Sequence, residues 1–338
     1  MNIGVIGAGL MGSTHIRLLT AAVPGAHVVA VSDPVAESAE RAAGEAGITT
    51  IYADARALIA DPDVEAVVIA SPAPTHEELT LACLHEGKPV LCEKPLAASA
   101  EASRRVLEAE VALGRRLVQV GFMRRYDPGY ADLKRRLDAG EVGAPLVVHC
   151  AHRNPVAPPT FTSEMLITDS VVHEIDTLRW LLGEEIARVT VLAPRASSLA
   201  APGLQDPQLV VFETASGRLA DVECFVNARY GYDIRCEVVA EQGTLELAAP
   251  ATVAARSAAG NATDIPAGFQ QRFESAYVRE LYAWLAGGDG SAANAWDGYA
   301  AAAVCEAALE SLHSGRPADV RLGSHPDLYW TDADLAIR

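Results

Sequence analysis

The sequence predicts two α/β domains: an N-terminal doubly wound parallel sheet and a C-terminal domain with a predominantly antiparallel open sheet. Three observations predict it. Short apolar runs alternate with helical segments from residue 1 to about 120. Beyond Gly121, strand candidates follow one another without intervening helices. The chain has 338 residues, more than single domains of about 50–250 residues usually hold. The expected boundary therefore divides residues 1–120 from 121–338.

In the first part, strands are expected at Asn2–Ile6, Val28–Ser32, Thr50–Tyr52, Ala66–Ala70, Val90–Cys92 and Leu117–Val120. Helices are expected near Met11–Ala22, Val35–Ala43, Ala53–Ala60, Thr75–Glu86 and Ala100–Leu113. Strand–helix alternation of this kind builds a parallel sheet with right-handed crossovers. Thr75 with Glu78 three residues on has the form of a capping box. In the second part, a helix near Pro128–Ala139 leads to a strand at Leu146–His152 and a proline-rich loop, Pro155 to Pro159. A helix near Asp169–Leu182, stopped by Gly183, precedes strands at Ala187–Leu192, Leu209–Glu213, Leu219–Asn227, Ile234–Ala240 and Thr244–Leu247. Helices near Phe273–Ala286 and Trp296–Ser314 follow. The alanine-rich patches at 196–201 and 250–263 read as loops.

Composition narrows the function classes. With 27 basic against 44 acidic residues the net charge is −17, a surface that repels a phosphate backbone, so no nucleic-acid partner is expected. None of the six cysteines forms a CxxC pair, so they read as small apolar residues in a reducing compartment. No apolar run reaches about 18 residues and no signal peptide precedes the first strand, so the cytoplasm is expected and no membrane partner.

Gly7-Ala8-Gly9-Leu10-Met11-Gly12 is a GxGxxG between the first strand and the first helix. The first glycine permits the tight turn, the second lets the backbone approach a pyrophosphate, and the third allows close helix–strand packing. The helix N-terminus then offers its free N–H groups to phosphate. Asp33 stands 21 positions after Gly12 at the end of the second strand, where a carboxylate binds adenosine ribose hydroxyls and repels an added phosphate. Pro34, Val35 and Ala36 follow it without a basic residue, so the expected cofactor is NAD rather than NADP.

Two further features carry chemistry. Glu93-Lys94-Pro95 lies just beyond the fifth strand, on the ligand side of a parallel sheet, and Pro95 keeps Lys94 out of the helical region. A lysine there can hydrogen-bond a reacting oxygen and stabilise alkoxide charge; the plain alternative is a surface loop lysine. On the helix near Asp169–Leu182, Val171, Ile175, Leu178 and Leu182 form one apolar stripe, with Asp169, His173 and Asp176 on the opposite face. His173 suits a general base that takes a hydroxyl proton, with Asp169 orienting its imidazole. A solvated face, with Asp169 as a cap, is the structural alternative. A metal site built on His149, His152 and His173 is disfavoured, because His149 and His152 point to opposite faces of a strand. No metal is expected.

These residues resemble the Gfo/Idh/MocA oxidoreductase family over essentially the whole chain. The resemblance rests on the glycine loop with Asp33, Ser71-Pro72-Ala73-Pro74-Thr75-His76, Glu93-Lys94-Pro95, the run from Val120 to Pro128, Asp169–Asp176, and Tyr230–Glu237. Gly121–Asp127 and Gly231–Glu237 are similar, within the family, to inositol dehydrogenases. The resemblance implies a Rossmann domain followed by an α/β domain whose open sheet builds a tetramer. It implies Lys94, Asp169 and His173 as the catalytic trio and an NAD site extended by Ser71, Pro72, His76 and Glu93. It also implies Arg124, Asn154, Asp176 and Tyr232 as hydroxyl-binding groups for a polyol or sugar, myo-inositol first among them. Another inositol isomer, an aldose, or an NAD-binding sensor without turnover are the competing expectations.

Overall fold

In the computed structural model, which describes residues 1–248, 254–257, 260–263, 265–288 and 291–330, the chain folds into two compact units. One comprises Met1–Met123, Ser275–Ala302 and the chain from Leu322 on; the other comprises Arg124–Glu274 and Ala303–Arg321.

The first unit contains β1 (Asn2–Ile6), α1 (Leu10–Ala22), β2 (His27–Ser32), α2 (Ala36–Ala46), β3 (Thr50–Tyr52), α3 (Ala55–Ala60), β4 (Ala66–Ile69), α4 (His76–His85), β5 (Val90–Glu93), α5 (Ala100–Leu113) and β6 (Val118–Gly121). The strands form one parallel sheet in the order β3-β2-β1-β4-β5-β6. Buried positions throughout β4 and β5 explain why these strands read as continuous apolar runs. The strand order reverses between β1 and β4, which is where such sheets open a ligand crevice beyond their carboxyl ends. Register aligns those ends: Ile6 stands beside both Ser32 and Ile69, and Ile69 beside Cys92. Gly7, Asp33, Ser71 and Lys94 therefore leave the sheet along one edge.

The second unit contains α6 (Pro128–Asp138), β7 (Pro145–Arg153), α7 (Val172–Leu182), β8 (Ile186–Leu192), β9 (Gln208–Thr214), β10 (Leu219–Phe225), β11 (Asp233–Ala240), β12 (Gly243–Glu246) and a hairpin of β13 (Ala254–Ser257) and β14 (Gly260–Thr263). Helices α8 (Phe269–Leu285) and α9 (Ala295–Ser314) and the short β15 (Ala318–Asp319) follow, with Ser275–Ala302 belonging to the first unit. The large sheet runs β12-β11-β7-β10-β9-β8-β15, antiparallel except for the parallel pair β7–β10. Burial alternates along β9, β10 and β11, so one face of the sheet is covered and the other is open.

Local signals behaved unevenly. Asp127 caps α6 by accepting from the backbone N–H groups of Gly129 and Tyr130, and Gly183 ends α7 in the left-handed region at φ 64°. The capping box at Thr75 does not form. The Thr75 hydroxyl bonds Ser71 Oγ and the Pro72 carbonyl, while Glu78 is taken by Arg56. The patch at 196–201 is irregular as expected. In the 250–263 patch, 254–257 and 260–263 pair as strands instead of forming a loop, and the remaining positions lie outside the described residues.

Gly298 on α9 packs against Leu96, two residues after Lys94, and Val120 on β6: a Cβ there would lie 2.7 Å from Leu96 Cβ and 3.0 Å from Val120 Cγ2. Gly298→Ala should therefore cost about 1–3 kcal/mol through overpacking. An unchanged denaturation midpoint would contradict this packing.

Candidate active site

A cavity of about 720 Å³ opens at the carboxyl edge of the parallel sheet, lined by Gly7, Gly9, Met11, Asp33, Ser71 and Pro72 among others. Gly7 adopts φ +91°, and a Cβ there would press to 2.6 Å on the Ala70 carbonyl. A Cβ on Gly12 would lie 1.7 Å from the Gly7 oxygen, so this position admits glycine alone. Gly9 meets nothing within 4 Å; its missing side chain leaves space on the cavity side rather than relieving a clash. Leu10 begins α1 and is 62 % exposed. No side chain caps α1, and its first turn carries no acid, so its N–H groups stay available to an anion.

Asp33 accepts from Ala8 N at 2.7 Å and from Val35 N at 2.8 Å, which fixes its carboxylate on the cavity wall with lone pairs to spare. Arg56 lines the same cavity but donates to Glu78, Nη2 to Oε1 at 2.7 Å. Arg56 carries no local signal in the sequence, because it comes from α3, 23 positions after Asp33. These features fit a dinucleotide: an open glycine beside an uncapped helix start, and a fixed carboxylate at the next strand end.

Lys94 leads from the end of β5 into the turn with Pro95. Glu93 is buried; its Oε1 meets His15 Nε2 at 2.6 Å, and its Oε2 accepts from Lys94 N at 3.2 Å. His15, fully buried on α1, went unnoticed in the sequence reading. It links the helix of the glycine loop to the lysine turn and packs edge-on against Tyr277, centroids 5.9 Å apart. His76 is also buried, with both ring nitrogens beside carbonyl oxygens, Pro95 and Ser71.

In the second unit Asp169 and His173 do not share one regular helix. Leu166–Val171 forms a π-helix, and α7 starts only at Val172. Turns closed by i→i+5 bonds shift the phase between the two residues, and such segments often occur at functional sites. Asp169 is exposed and His173 is 8 % exposed. The apolar stripe is buried as expected, but the opposite face of α7 is buried too. Asp176, 0 % exposed, is gripped by Arg125, whose Nε donates to Oδ2 at 3.0 Å.

Glu174, beside His173, is the residue the sequence reading passed over. Its carboxylate accepts from Arg124 Nη1, and His152 Nδ1 lies 3.0 Å from its Oε2. Burial pushes the Glu174 carboxyl up, but Arg124 and His152 outweigh it and hold it below its ordinary 4.5. Arg124 is 1 % exposed and lies 5.7 Å over the Phe273 ring. Tyr232 packs edge-on to His152, centroids 5.9 Å apart, and burial raises its phenol to about 12, leaving it a donor at neutral pH. The His173 ring centroid is 6.4 Å from that of His152. Asn154 extends β7: its N–H donates to Phe225 O, and its carbonyl accepts from Ala228 N. His149 and His152 occupy opposite faces of β7, the first exposed and bonded to Asp221, the second buried.

The first unit thus holds the cavity at the sheet's carboxyl end, and the second holds the buried polar cluster around Glu174. Residues 1–122 match the Gfo/Idh/MocA profile described as an oxidoreductase family with an NAD-binding Rossmann fold, and residues 130–246 match that family's C-terminal domain. The chain belongs to the Gfo/Idh/MocA oxidoreductase family. It is 52 % identical to inositol 2-dehydrogenase 1 of Saccharopolyspora erythraea, over 98 % of this chain and 99 % of that one. Inositol 2-dehydrogenase of Burkholderia cenocepacia is 47 % identical over 97 % of this chain and 99 % of its own. Among solved structures, myo-inositol dehydrogenase from Lactobacillus casei in complex with NAD(H) and myo-inositol superposes with a TM-score of 0.94 at 37 % identity, covering 98 % of this chain and 99 % of that one.

Asp33→Asn keeps an acceptor for Ala8 N but removes the charge, leaving Arg56 on the cavity wall. The ratio of kcat/KM for NADP over NAD should rise by about tenfold or more. An unchanged ratio would remove Asp33 from cofactor selection.

Because the folded Glu174 carboxyl sits below 4.5, its stabilisation is present above that pH and is lost as pH falls through the folded value. Glu174→Gln should cost about 3 kcal/mol at neutral pH, with the deficit shrinking in acid. A deficit that stays constant down to acid unfolding would show that the carboxylate charge is not what stabilises the cluster.

Proposed function

We propose that this chain is an NAD-dependent dehydrogenase that oxidises a secondary hydroxyl of a cyclic polyol, myo-inositol first, to the corresponding ketone. The observation that carries this reading is full-length similarity, at 52 % identity, to an inositol 2-dehydrogenase. The Lactobacillus casei structure, which holds both NAD(H) and myo-inositol, supports it further.

Bound NAD supplies the hydride acceptor. The protein's own work is to take the hydroxyl proton and steady the oxygen as its C–O bond becomes C=O. We assign the proton to His173, with Asp169 orienting and stabilising the imidazolium that results. We assign Lys94 to the reacting oxygen, where an ammonium stabilises developing alkoxide charge. Gly7, Gly9, Leu10, Met11 and Gly12 hold the pyrophosphate and Asp33 the ribose. Ser71 and Pro72 wall the cofactor's site, and His76 and Glu93 extend it toward Lys94.

For the substrate, a polyol needs donors and acceptors around its ring. Tyr232, kept protonated, and Asn154 are the direct hydroxyl partners in this reading. Arg124 and Asp176 are assigned to the same wall, and their charges are already shared with Glu174 and Arg125. The proposal includes residues 1–120 as the NAD-binding domain and residues 121–338 as the substrate-binding and oligomerisation domain. It also includes a cytoplasmic homotetramer joined through the open face of the large sheet. Leu219 is 44 % exposed there, with Val147 beside it. Among the described residues no helix is long and apolar enough to cross a membrane.

Lys94→Ala and His173→Ala should each lower kcat by about a hundredfold or more while NADH affinity stays within about threefold. The measurement is NADH absorbance over a panel of inositol isomers and aldoses, with NADH binding followed by fluorescence. Near-normal turnover in either variant would remove that residue from the chemistry. Turnover of an aldose but not of myo-inositol would reassign the substrate. Cofactor binding without turnover of any panel member would favour a sensor.

A further inference from the structure

His76 opens α4 and is 1 % exposed. Its Nδ1 lies 2.7 Å from the Pro95 carbonyl oxygen, and its Nε2 lies 2.7 Å from the Ser71 carbonyl oxygen. A carbonyl oxygen only accepts, so each nitrogen must carry a hydrogen for its contact to be a hydrogen bond. A neutral imidazole carries one. Its second nitrogen would then set a lone pair against a carbonyl lone pair, a buried mismatch with no water to relieve it. Only the doubly protonated ring satisfies both contacts.

The surroundings bear on the same point. Burial pushes the imidazole down, but the Cys92 sulfur on β5 and the two carbonyls outweigh it and raise His76 to about 9. The next two residues of α4, Glu77 and Glu78, commit their carboxylates to Arg105 and Arg56.

The two carbonyls belong to segments with different tasks. Ser71 lines the dinucleotide cavity. Pro95 directly follows Lys94, on whose other side the Glu93 carboxylate accepts from Lys94 N and meets His15. We propose that His76 is a positioning residue: as a buried imidazolium it ties the Ser71 carbonyl to the Pro95 carbonyl, so that the cofactor wall and the lysine turn hold one geometry. This rests on the reading of Lys94 as the group that meets the reacting oxygen. The clasp contributes no atom to the reaction; it sets where the ammonium stands once the cofactor is against Ser71.

The clasp can be read without turnover. Nitrogen NMR of the full-length protein labelled with [15N]histidine, at about pH 7, should show both His76 ring nitrogens protonated, whereas a neutral tautomer would overturn the proposal. His76→Gln offers no planar pair of opposed donors. With NADH bound, the rate at which Lys94 reacts with an acylating reagent should change by about threefold or more relative to Lys134, and kcat should fall about tenfold or more with KM for NAD changed by less than about threefold. Unchanged Lys94 reactivity and kcat in a folded His76→Gln protein would overturn it. If the variant does not fold, the nitrogen spectrum of the unaltered protein decides. If Lys94→Ala retains turnover, the catalytic reading fails, while the nitrogen spectrum and the acylation rate still judge the clasp on their own.

Discussion

An ion taken out of water costs several kcal/mol unless a partner and hydrogen bonds meet it, and both units of this protein bury ions beside the residues assigned to chemistry. Glu174 and Arg124 are 1 % exposed, and the pair survives because His152 takes the remaining carboxylate oxygen and aromatic rings enclose the guanidinium. Asp176 and Arg125 form a second closed pair. In the other unit, Glu93 is buried against His15 and His76 against two carbonyls. Breaking such a pair leaves an uncompensated buried charge, which costs more than the pair itself contributes. These positions are therefore stiff. Stiffness of this kind limits how far the neighbouring side chains within each unit can stray.

This constraint separates residues that contact a ligand from those that hold the contacts in place. Arg124 and Asp176 bear charge at positions associated with hydroxyl binding, yet each is already engaged by a protein partner. Tyr232 differs in charge, not in being unpartnered: its phenol oxygen is hydrogen-bonded with Arg124, and burial keeps the hydroxyl protonated. A buried phenol that cannot ionise is a fixed donor, and fixed donors discriminate between hydroxyl configurations better than mobile charges, because a misplaced hydroxyl leaves the donor unpaired.

How much of this was legible in the sequence follows from the range of each interaction. The glycine loop, Asp33 and the parallel sheet were readable because strand, turn and helix are local and their side-chain requirements are nearly absolute; Gly12 has the Gly7 oxygen 1.7 Å from any Cβ. Gly183 was readable as a helix end for the same reason. The Thr75 capping box was a correct local pattern defeated by neighbours: Ser71 captured the hydroxyl and Arg56 captured the glutamate. The π-helix at Leu166–Val171 leaves no periodic trace, since apolar spacing reports a 3.6-residue turn and a single i→i+5 segment only offsets its phase. Helical periodicity left open whether the polar face of α7 meets water or protein, because it cannot see that Arg125, remote in sequence, comes to meet Asp176. His15 was invisible for the same reason: its partner is 78 positions away.

The same distinction between local and summed effects resolves an apparent conflict over charge. A chain of net charge −17 is a poor host for an anionic dinucleotide if charge acts as a whole. It does not, because at physiological ionic strength exposed charges are screened beyond about 8 Å, so the site feels only its own surroundings. Helices α2, α4 and α5 carry glutamates in their first turns, which spend the partial positive charge of those N-termini on the protein's own side chains. Helix α1 carries none and has no side-chain cap, and Gly9 at its entrance leaves the approach open. Asp33, fixed by two backbone N–H groups, stands at the next strand end, where ribose hydroxyls could use it and an additional phosphate would be repelled. An acidic protein can thus keep a dinucleotide site by withholding acids from the first turn of α1, and a carboxylate at the neighbouring strand end would act on cofactor identity rather than against cofactor affinity.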